Sequence, residues 1–315
     1  ILERASPEPT YYPYPYSLDP LPSHIKRGLI PLGLFGLLST ISTSCLLGWI
    51  TYRMISWRKH YRTYVGYNQY VVLIYNLLLA DLQQSASFLI SFHWMREGRI
   101  VAPSSACFAQ GWLIQIGDVA SGFFVLAIAL HTWVSVIQGR KIPYGIFVGS
   151  ILLCWGFALL LTIIGPAVHK KYFTRAGMWC WASQDYEKER LWLHYIWIFL
   201  IEFGTIIIYG IVFFYLRKQL SNILTADQSK THRKVTQAAR YMVVYPIIYV
   251  VLTLPLAAGR MASMSGKNLP DVYFVVAGCM ITSCGWLDTL LYTLTRRVLL
   301  SGDITGNKSN SRSAN

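Results

Sequence analysis

Long uninterrupted runs of apolar residues decide what this chain can become. They recur at about 28–52, 69–93, 105–138, 144–168, 191–218, 236–262 and 271–295. A helix rises about 1.5 Å per residue, so a run of about 20 residues or more crosses a hydrocarbon core about 30 Å thick. With 54% hydrophobic and only 13% charged residues among 315, too little polar surface is left to cover a soluble fold. The expected fold class is an all-α membrane protein, a bundle of seven transmembrane helices.

The net charge of +14 raises nucleic acid as a partner. Lys and Arg, however, sit in short loops between the apolar runs rather than on a soluble face, which excludes it and leaves membrane lipid as the surrounding partner. Arg53, Arg58, Lys59 and Arg62 follow the first run, Arg140 and Lys141 the third, and Arg217, Lys218, Lys230, Arg233 and Lys234 the fifth. Arg296, Arg297, Lys308 and Arg312 follow the seventh. The positive-inside bias puts these segments in the cytosol and the N-terminus outside. The bases between runs four and five are diluted by Asp185, Glu187 and Glu189. The expected division is an extracellular tail over 1–27, a membrane bundle over 28–300 and a disordered cytosolic tail over 301–315, where the sequon at Asn307 stays unmodified. The Pro/Tyr-rich start lacks the layout of a signal peptide and reads as a short irregular tail. Trp57, Trp94, Trp192 and Tyr195 near span ends suit interfacial belts, with ordinary packing as the second explanation.

Ionisable side chains within lipid-spanning runs are costly and turn towards the bundle interior. Asp81, Asp118, Glu202, Asp288 and His131 are such residues. Gln115, Asp118 and Ser121 recur at i, i+3 and i+6 beneath Gly111, one polar stripe on the third span. Asp118 lies about 16 Å along the helix from Cys107, near mid-membrane. Such a stripe either serves signalling or only ties helices together, and the residues alone leave both open. Asp81, Ser121 and Asp288 lie at similar depth on spans two, three and seven and should converge. Two carboxylates so close cannot cheaply both be charged, so one holds a proton or a cation such as Na⁺ sits between Asp81 and Asp288.

Two strings carry a family resemblance: Asn76-Leu77-Leu78-Leu79-Ala80-Asp81 on span two, and Asp288-Thr289-Leu290-Leu291-Tyr292 on span seven. They resemble the Asn-Leu-x-x-x-Asp and Asn/Asp-Pro-x-x-Tyr motifs of rhodopsin-like G-protein-coupled receptors. Cys154-Trp155 matches that superfamily's fourth-helix tryptophan. Departures are specific: His131-Thr132-Trp133 stands where Asp-Arg-Tyr is usual, Thr289 replaces a proline, and span one has no Asn. Ala129 to Trp133, the tract Tyr241 to Arg260 with Pro246 and Pro255, and Gly285-Trp286-Leu287-Asp288 are instead similar to fungal receptors of the glucose-sensing and cyclic-AMP-receptor-like group.

The resemblance implies a plasma-membrane, multi-pass receptor for an extracellular small molecule, a nutrient among the options. It also implies a heterotrimeric G-protein partner, through its Gα subunit, that feeds cyclic-AMP signalling. Cys107 and Cys180 match the superfamily's disulfide, and the other four cysteines lie within spans, away from the oxidising side. The expected ligand-pocket residues are Gln110, Gln115, Asp118, Glu202 and Trp181. Thr132, Arg140, Lys141, Arg233, Lys234, Arg240 and Tyr292 are expected to face the G protein. Pro246 and Pro255 each remove a backbone donor, so span six should kink and be the moving element.

No cofactor is expected and the chain is not read as an enzyme. A retinal pump needs a lysine in its last span, and 271–295 has none. His93, His131, His169 and His194 lie on separate spans or ends without metal-ligand spacing. A transporter or channel with a polar path through Asp81, Gln115, Asp118, Glu202 and Asp288 remains the alternative. It would show substrate flux where a receptor would drive nucleotide exchange.

Overall fold

The computed structural model describes residues 11–56, 66, 68–223 and 244–294. Among them are seven long helices: α1 Ser23–Ile55, α2 Gln69–Glu97, α3 Ser105–Ile137, α4 Tyr144–Val168, α5 Ile196–Ile223, α6 Val244–Met264 and α7 Asp271–Thr282. Six helical segments are long and apolar enough to cross a membrane, and the chain is a multi-pass membrane protein. The helix outside that set is α2, whose apolar run is interrupted by Asn76, Asp81, Gln83, Gln84, Ser85, Ser87 and Ser91. All of these side chains but Ser91 hydrogen-bond within the bundle.

Local chemistry sets the ends. At α2 the Asn68 Oδ1 accepts from the amides of Tyr70 and Val71 at 3.1 and 3.4 Å, and Gly98 closes the helix in the left-handed region at φ 68°. Ser104 Oγ caps α3 through the Cys107 amide at 3.1 Å. Pro143 and Pro270 precede α4 and α7, where a missing N–H is harmless. The last described helix does not run unbroken. It turns at Ser283 and resumes as helix to 294. Thr282 and Ser283 donate to the Gly278 and Cys279 carbonyls at 2.6 and 2.7 Å, a back-bonding that bends helices.

α3 is the central post, its buried residues distributed all round the helix. It meets α2 closely enough that a Cβ on Gly117 would lie 2.6 Å from the Gln84 amide nitrogen. α4 presents Leu152 and Leu153 outward at 67% and 71% exposure, which is lipid-facing surface and no liability in a bilayer.

One end of the bundle carries a lid. A two-stranded antiparallel hairpin, β1 Phe173–Arg175 and β2 Cys180–Ala182, folds over it and is joined to the head of α3 by the Cys107–Cys180 disulfide. The described part of the Pro/Tyr-rich tail, from Tyr11 on, is more ordered than its composition suggests. Leu18 and Ile100 exchange backbone hydrogen bonds at 2.7 and 2.9 Å, and the Arg175 amide donates to the Tyr16 carbonyl at 3.1 Å. Tyr16 Oη donates to Asp185 at 2.7 Å. Donation to that carboxylate pushes the Tyr16 phenol's pKa up, so it remains a donor at neutral pH. α1 begins at Ser23, inside the segment expected to be tail.

Two of the aromatic residues expected at the interface are instead core. Trp94 is fully buried with Nε1 donating to Gln110 Oε1 at 2.9 Å, and Tyr195 is buried beside Trp181 with ring centroids 5.6 Å apart. Each can satisfy its polar atom or ring within the bundle, so neither needs the interface. Trp192 is exposed, and Trp57 lies outside the described residues.

Candidate ligand cavity and buried polar core

Beneath the hairpin lies a cavity walled by α2, α3, α5, α6, α7 and the hairpin segment. Asp118, Trp179, Trp181, His194, Tyr249 and Arg260 give it its chemistry. Of the expected pocket residues, Asp118 and Trp181 line it. Gln115 supports the wall: its Nε2 donates to the Leu193 carbonyl at 2.9 Å, and its Oε1 accepts from Trp181 Nε1 at 3.1 Å. Leu193 belongs to a π-turn, Leu191–Tyr195, at the start of the fifth span. Glu202 also acts from behind, its Oε1 accepting from the wall residue Thr253 at 2.8 Å. Gln110 is corrected from a ligand contact to a clamp. Its Oε1 accepts from Trp94 Nε1 and from the Cys180 amide, both at 2.9 Å, and its Nε2 donates to the Ser87 carbonyl at 3.2 Å. A side chain with its amide filled on both ends holds the hairpin to α2 and α3 and has little left for a ligand.

Arg260 and His194 add to the ionisable side chains named from the sequence within the spans. Both are buried in the cavity wall. His194 Nε2 lies 3.9 Å from Asp118 Oδ2. Arg260 donates through Nη2 to the Ala176 carbonyl at 2.9 Å and stands over Trp179 and Phe274 at 5.1 and 4.7 Å. The signal was available. An Arg inside the apolar run of α6 is as anomalous as an Asp inside α3, and Arg190 and His194 share a helix face at i, i+4.

The cavity floor opens onto a two-rung polar ladder between α2 and α3. The upper rung is Gln84 Nε2 donating to Asp118 Oδ1. One turn along, Ser121 Oγ donates to Asp81 Oδ1 at 2.8 Å. The 81/84 and 118/121 pairs are each three residues apart, about 4.5 Å of helix, so the rungs are parallel by construction. Asp288, farther along the same chain segment as α7, lies beside the lower rung, where its carboxyl and that of Asp81 act on each other electrostatically. Gly285 allows this approach, since a Cβ there would meet Asp81 Cβ at 3.4 Å and Thr43 Cγ2 at 2.8 Å. The structure therefore brings Asp81, Ser121 and Asp288 together. Among the described residues no group of three or more His, Cys, Asp or Glu side chains could hold a metal.

Further from the hairpin, Trp155 Nε1 donates to Asn76 Oδ1 at 2.9 Å, so the second-helix motif and the fourth-helix tryptophan meet. His131 Nε2 and Gln69 Oε1 lie 3.1 Å apart, while Gln69 Nε2 donates to the Ile142 carbonyl at 2.8 Å. Arg140 and Lys141 are exposed. Thr132 and Tyr292, expected on a partner-facing surface, are instead buried at 1% and 7% exposure, with the Thr132 hydroxyl returned to the Ile128 carbonyl at 2.7 Å. In this conformation the helices close over them. Arg233, Lys234 and Arg240 lie outside the described residues.

This architecture has counterparts among known proteins. Squid rhodopsin superposes with a TM-score of 0.67 at 14% identity, covering 90% of this chain and 85% of that one. The fold is a rhodopsin-like helical bundle. Residues 229–299 match a family model described as the C-terminal part of the G protein-coupled glucose receptor regulating Gpa2. Human G-protein coupled receptor 157 is 23% identical over 246 residues, 72% of this chain and 71% of its own. The ascaroside receptor GPR2 of Arthrobotrys oligospora is 27% identical over 151 residues, 46% of this chain and 36% of its own. The resemblance drawn from the sequence to fungal receptors of the glucose-sensing and cyclic-AMP-receptor-like group is borne out by these matches.

The Cys107–Cys180 bridge of this rhodopsin-like bundle spans 73 residues, and Cys45, Cys154, Cys279 and Cys284 are free. Opening a loop of that length is expected to remove up to about 4 kcal/mol. Cys107→Ser and Cys180→Ser should each lower the melting temperature of detergent-solubilised protein and release the hairpin from the cavity mouth. Equal melting temperatures for wild type and both variants would show that the bridge adds nothing beyond the Gln110 clamp.

Proposed function

We propose that the chain is a G-protein-coupled receptor that takes an extracellular small molecule in the cavity beneath the hairpin and activates a heterotrimeric G protein. The observation that carries this reading is the match of 229–299, the α6–α7 segment, to a receptor family whose description names Gpa2. Gpa2 is accordingly the type of Gα partner proposed, with cyclic AMP downstream, at the plasma membrane. The hairpin end and the N-terminal tail face outside, and the bundle crosses seven times with α2 as one of its spans. The cytosolic face receives the G protein through Arg140 and Lys141 together with Arg233, Lys234 and Arg240, while Thr132 and Tyr292 become accessible only after the helices part. Asp81, Ser121 and Asp288 act as the switch, holding a proton or Na⁺ in the inactive arrangement.

The geometry supports such coupling physically. A ligand touching Asp118 perturbs Gln84, and Gln84 and Asp118 are each one turn from the Asp81–Ser121 rung. An equilibrium between two packings needs only a differential contact at one end to be biased. The test is reconstitution of the full chain in vesicles with Gα. Nucleotide exchange on Gα above the empty-vesicle rate is the expected result. Solute flux without exchange would replace the receptor with a transporter or channel.

A further inference from the structure

Two buried guanidinium groups stand at the mouth of the cavity, each stacked on one tryptophan of the hairpin's Trp179-Cys180-Trp181 segment. Arg260, 6% exposed, lies over Trp179 at 5.1 Å. Arg190, 3% exposed, lies over Trp181 at 5.2 Å and directs Nε and Nη2 to the Ala182 carbonyl. The disulfide at Cys180 fixes the strand between them. Among the described residues neither guanidinium has a carboxylate within 4.0 Å. Burying a cation without an acid partner carries a penalty of several kcal/mol that one backbone carbonyl and an aromatic face offset only in part. Arg260 has five N–H donors and the Ala176 carbonyl takes one.

Arg260 also belongs to two spaces at once. It lines the inner cavity with Asp118 and the wider vestibule above it, where Arg190 and Lys267 also stand. Of the acids nearby, three are engaged elsewhere, Asp185 by Tyr16 at 2.7 Å among them. Asp118 is engaged by Gln84 and faces His194, and Asp271 in the vestibule pairs with His24 at 3.4 Å. Glu187, exposed in the vestibule and three residues before Arg190, acts on Arg190 electrostatically from beyond ion-pair distance and leaves Arg260 without an acid partner. The neck between vestibule and cavity thus carries positive charge with donors to spare, walled by flat indole faces.

We propose that the ligand is an anion, bearing a carboxylate or phosphate group that Arg260 binds at this neck, with its apolar or ring-shaped body against Trp179 and Trp181. The proposal rests on the receptor reading and specifies the ligand class of the same cavity. A planar fork of N–H groups matches the two oxygens of a carboxylate or phosphate, and low local dielectric strengthens that pair. Arg190 and Lys267 raise the local concentration of anions at the entrance.

The test uses the purified full chain in lipid nanodiscs at fixed ionic strength. Its melting temperature is measured with acetate, inorganic phosphate, octanoate, octanamide, glucose 6-phosphate and glucose as probes. At least one anion should stabilise the wild type above chloride while its neutral counterpart does not. Octanoate against glucose 6-phosphate separates the carboxylate source from the phosphate source. Arg260→Gln should weaken that binding at least about 30-fold, in the range expected for losing a charge-assisted pair. If Arg260→Gln does not fold, Arg260→Lys serves: it keeps the charge, loses the fork and should bind about tenfold more weakly. Stabilisation by the neutral members, no anion-specific shift at all, or variants that titrate like wild type would each overturn the proposal. Gα exchange is recorded on the same preparation. Exchange without any anion effect leaves the receptor and removes the anion, while anion binding without exchange does the reverse.

Discussion

Gly117→Ala is expected to destabilise this protein by about 1–3 kcal/mol and to abolish the ligand response, although the same change in an open helix position is favourable. Alanine exceeds glycine in helix propensity by about 1 kcal/mol, which works in favour of the variant. Against it, the added Cβ would lie 2.6 Å from the Gln84 nitrogen and 2.9 Å from its Cα. Both are backbone atoms, so no rotamer change relieves the clash and α2 must move away from α3. The Gln84–Asp118 rung stands at that contact and would be pulled apart with it. Gly156→Ala on α4 is the matched control, since nothing lies within 4 Å of its Cβ position. Thermal unfolding of the two variants in the same detergent checks the argument. A Gly117→Ala protein as stable as the Gly156→Ala protein would mean that the helices are not held at this distance.

Where the chain could be read in advance, the reason was that one residue's chemistry admitted a single outcome. Apolar runs long enough for lipid had to become long helices, and the spans expected at 105–138 and 144–168 agree within a residue with α3 and α4. The stripe Gln115, Asp118 and Ser121 had to turn inward, and all three are buried. What the stripe would touch was another matter. Gln110 and Gln115 are both inward-facing amides, yet their partners, Trp94 and Cys180 for one and Leu193 and Trp181 for the other, come from elements distant in sequence. No periodicity encodes that choice. Trp94 and Tyr195 were misplaced for the opposite reason: an aromatic residue near a span end satisfies both a belt and a core, and only the neighbouring helix decides. Arg260 stands near the end of its apolar run, where an arginine reaches an interface as readily as a buried cavity wall, and only the neighbouring helices decide between them. The break at Ser283 depends on two adjacent hydroxyls turning back onto their own helix, a local competition that the hydropathy of the run does not register.

Asp81→Asn should preserve the fold and change the signal. Asparagine is nearly isosteric, and its Oδ1 can still accept from Ser121 Oγ, which now donates to Asp81 at 2.8 Å. What disappears is one carboxylate of the pair it forms with Asp288 on the seventh span. With both acids present and buried, the site must hold a proton or a cation, because two bare carboxylates in hydrocarbon-like surroundings repel and are poorly solvated. Occupancy of the site then depends on pH and on Na⁺, and whichever helix arrangement holds the ion better gains population as it binds. The variant has one acid fewer, so this dependence should collapse. Couplings of this sort are about 1–3 kcal/mol, which corresponds to a change of about 5–150-fold in basal or ligand-driven exchange on Gα. A network that merely ties α2, α3 and the seventh span together would lose far less, since shape and the Ser121 bond survive. The measurement is Gα nucleotide exchange by wild type and Asp81→Asn across a Na⁺ titration and a pH series, at matched surface expression. Exchange that keeps its wild-type level and its wild-type Na⁺ and pH responses would leave Asp81, Ser121 and Asp288 as a fixed hydrogen-bonded brace with no part in switching.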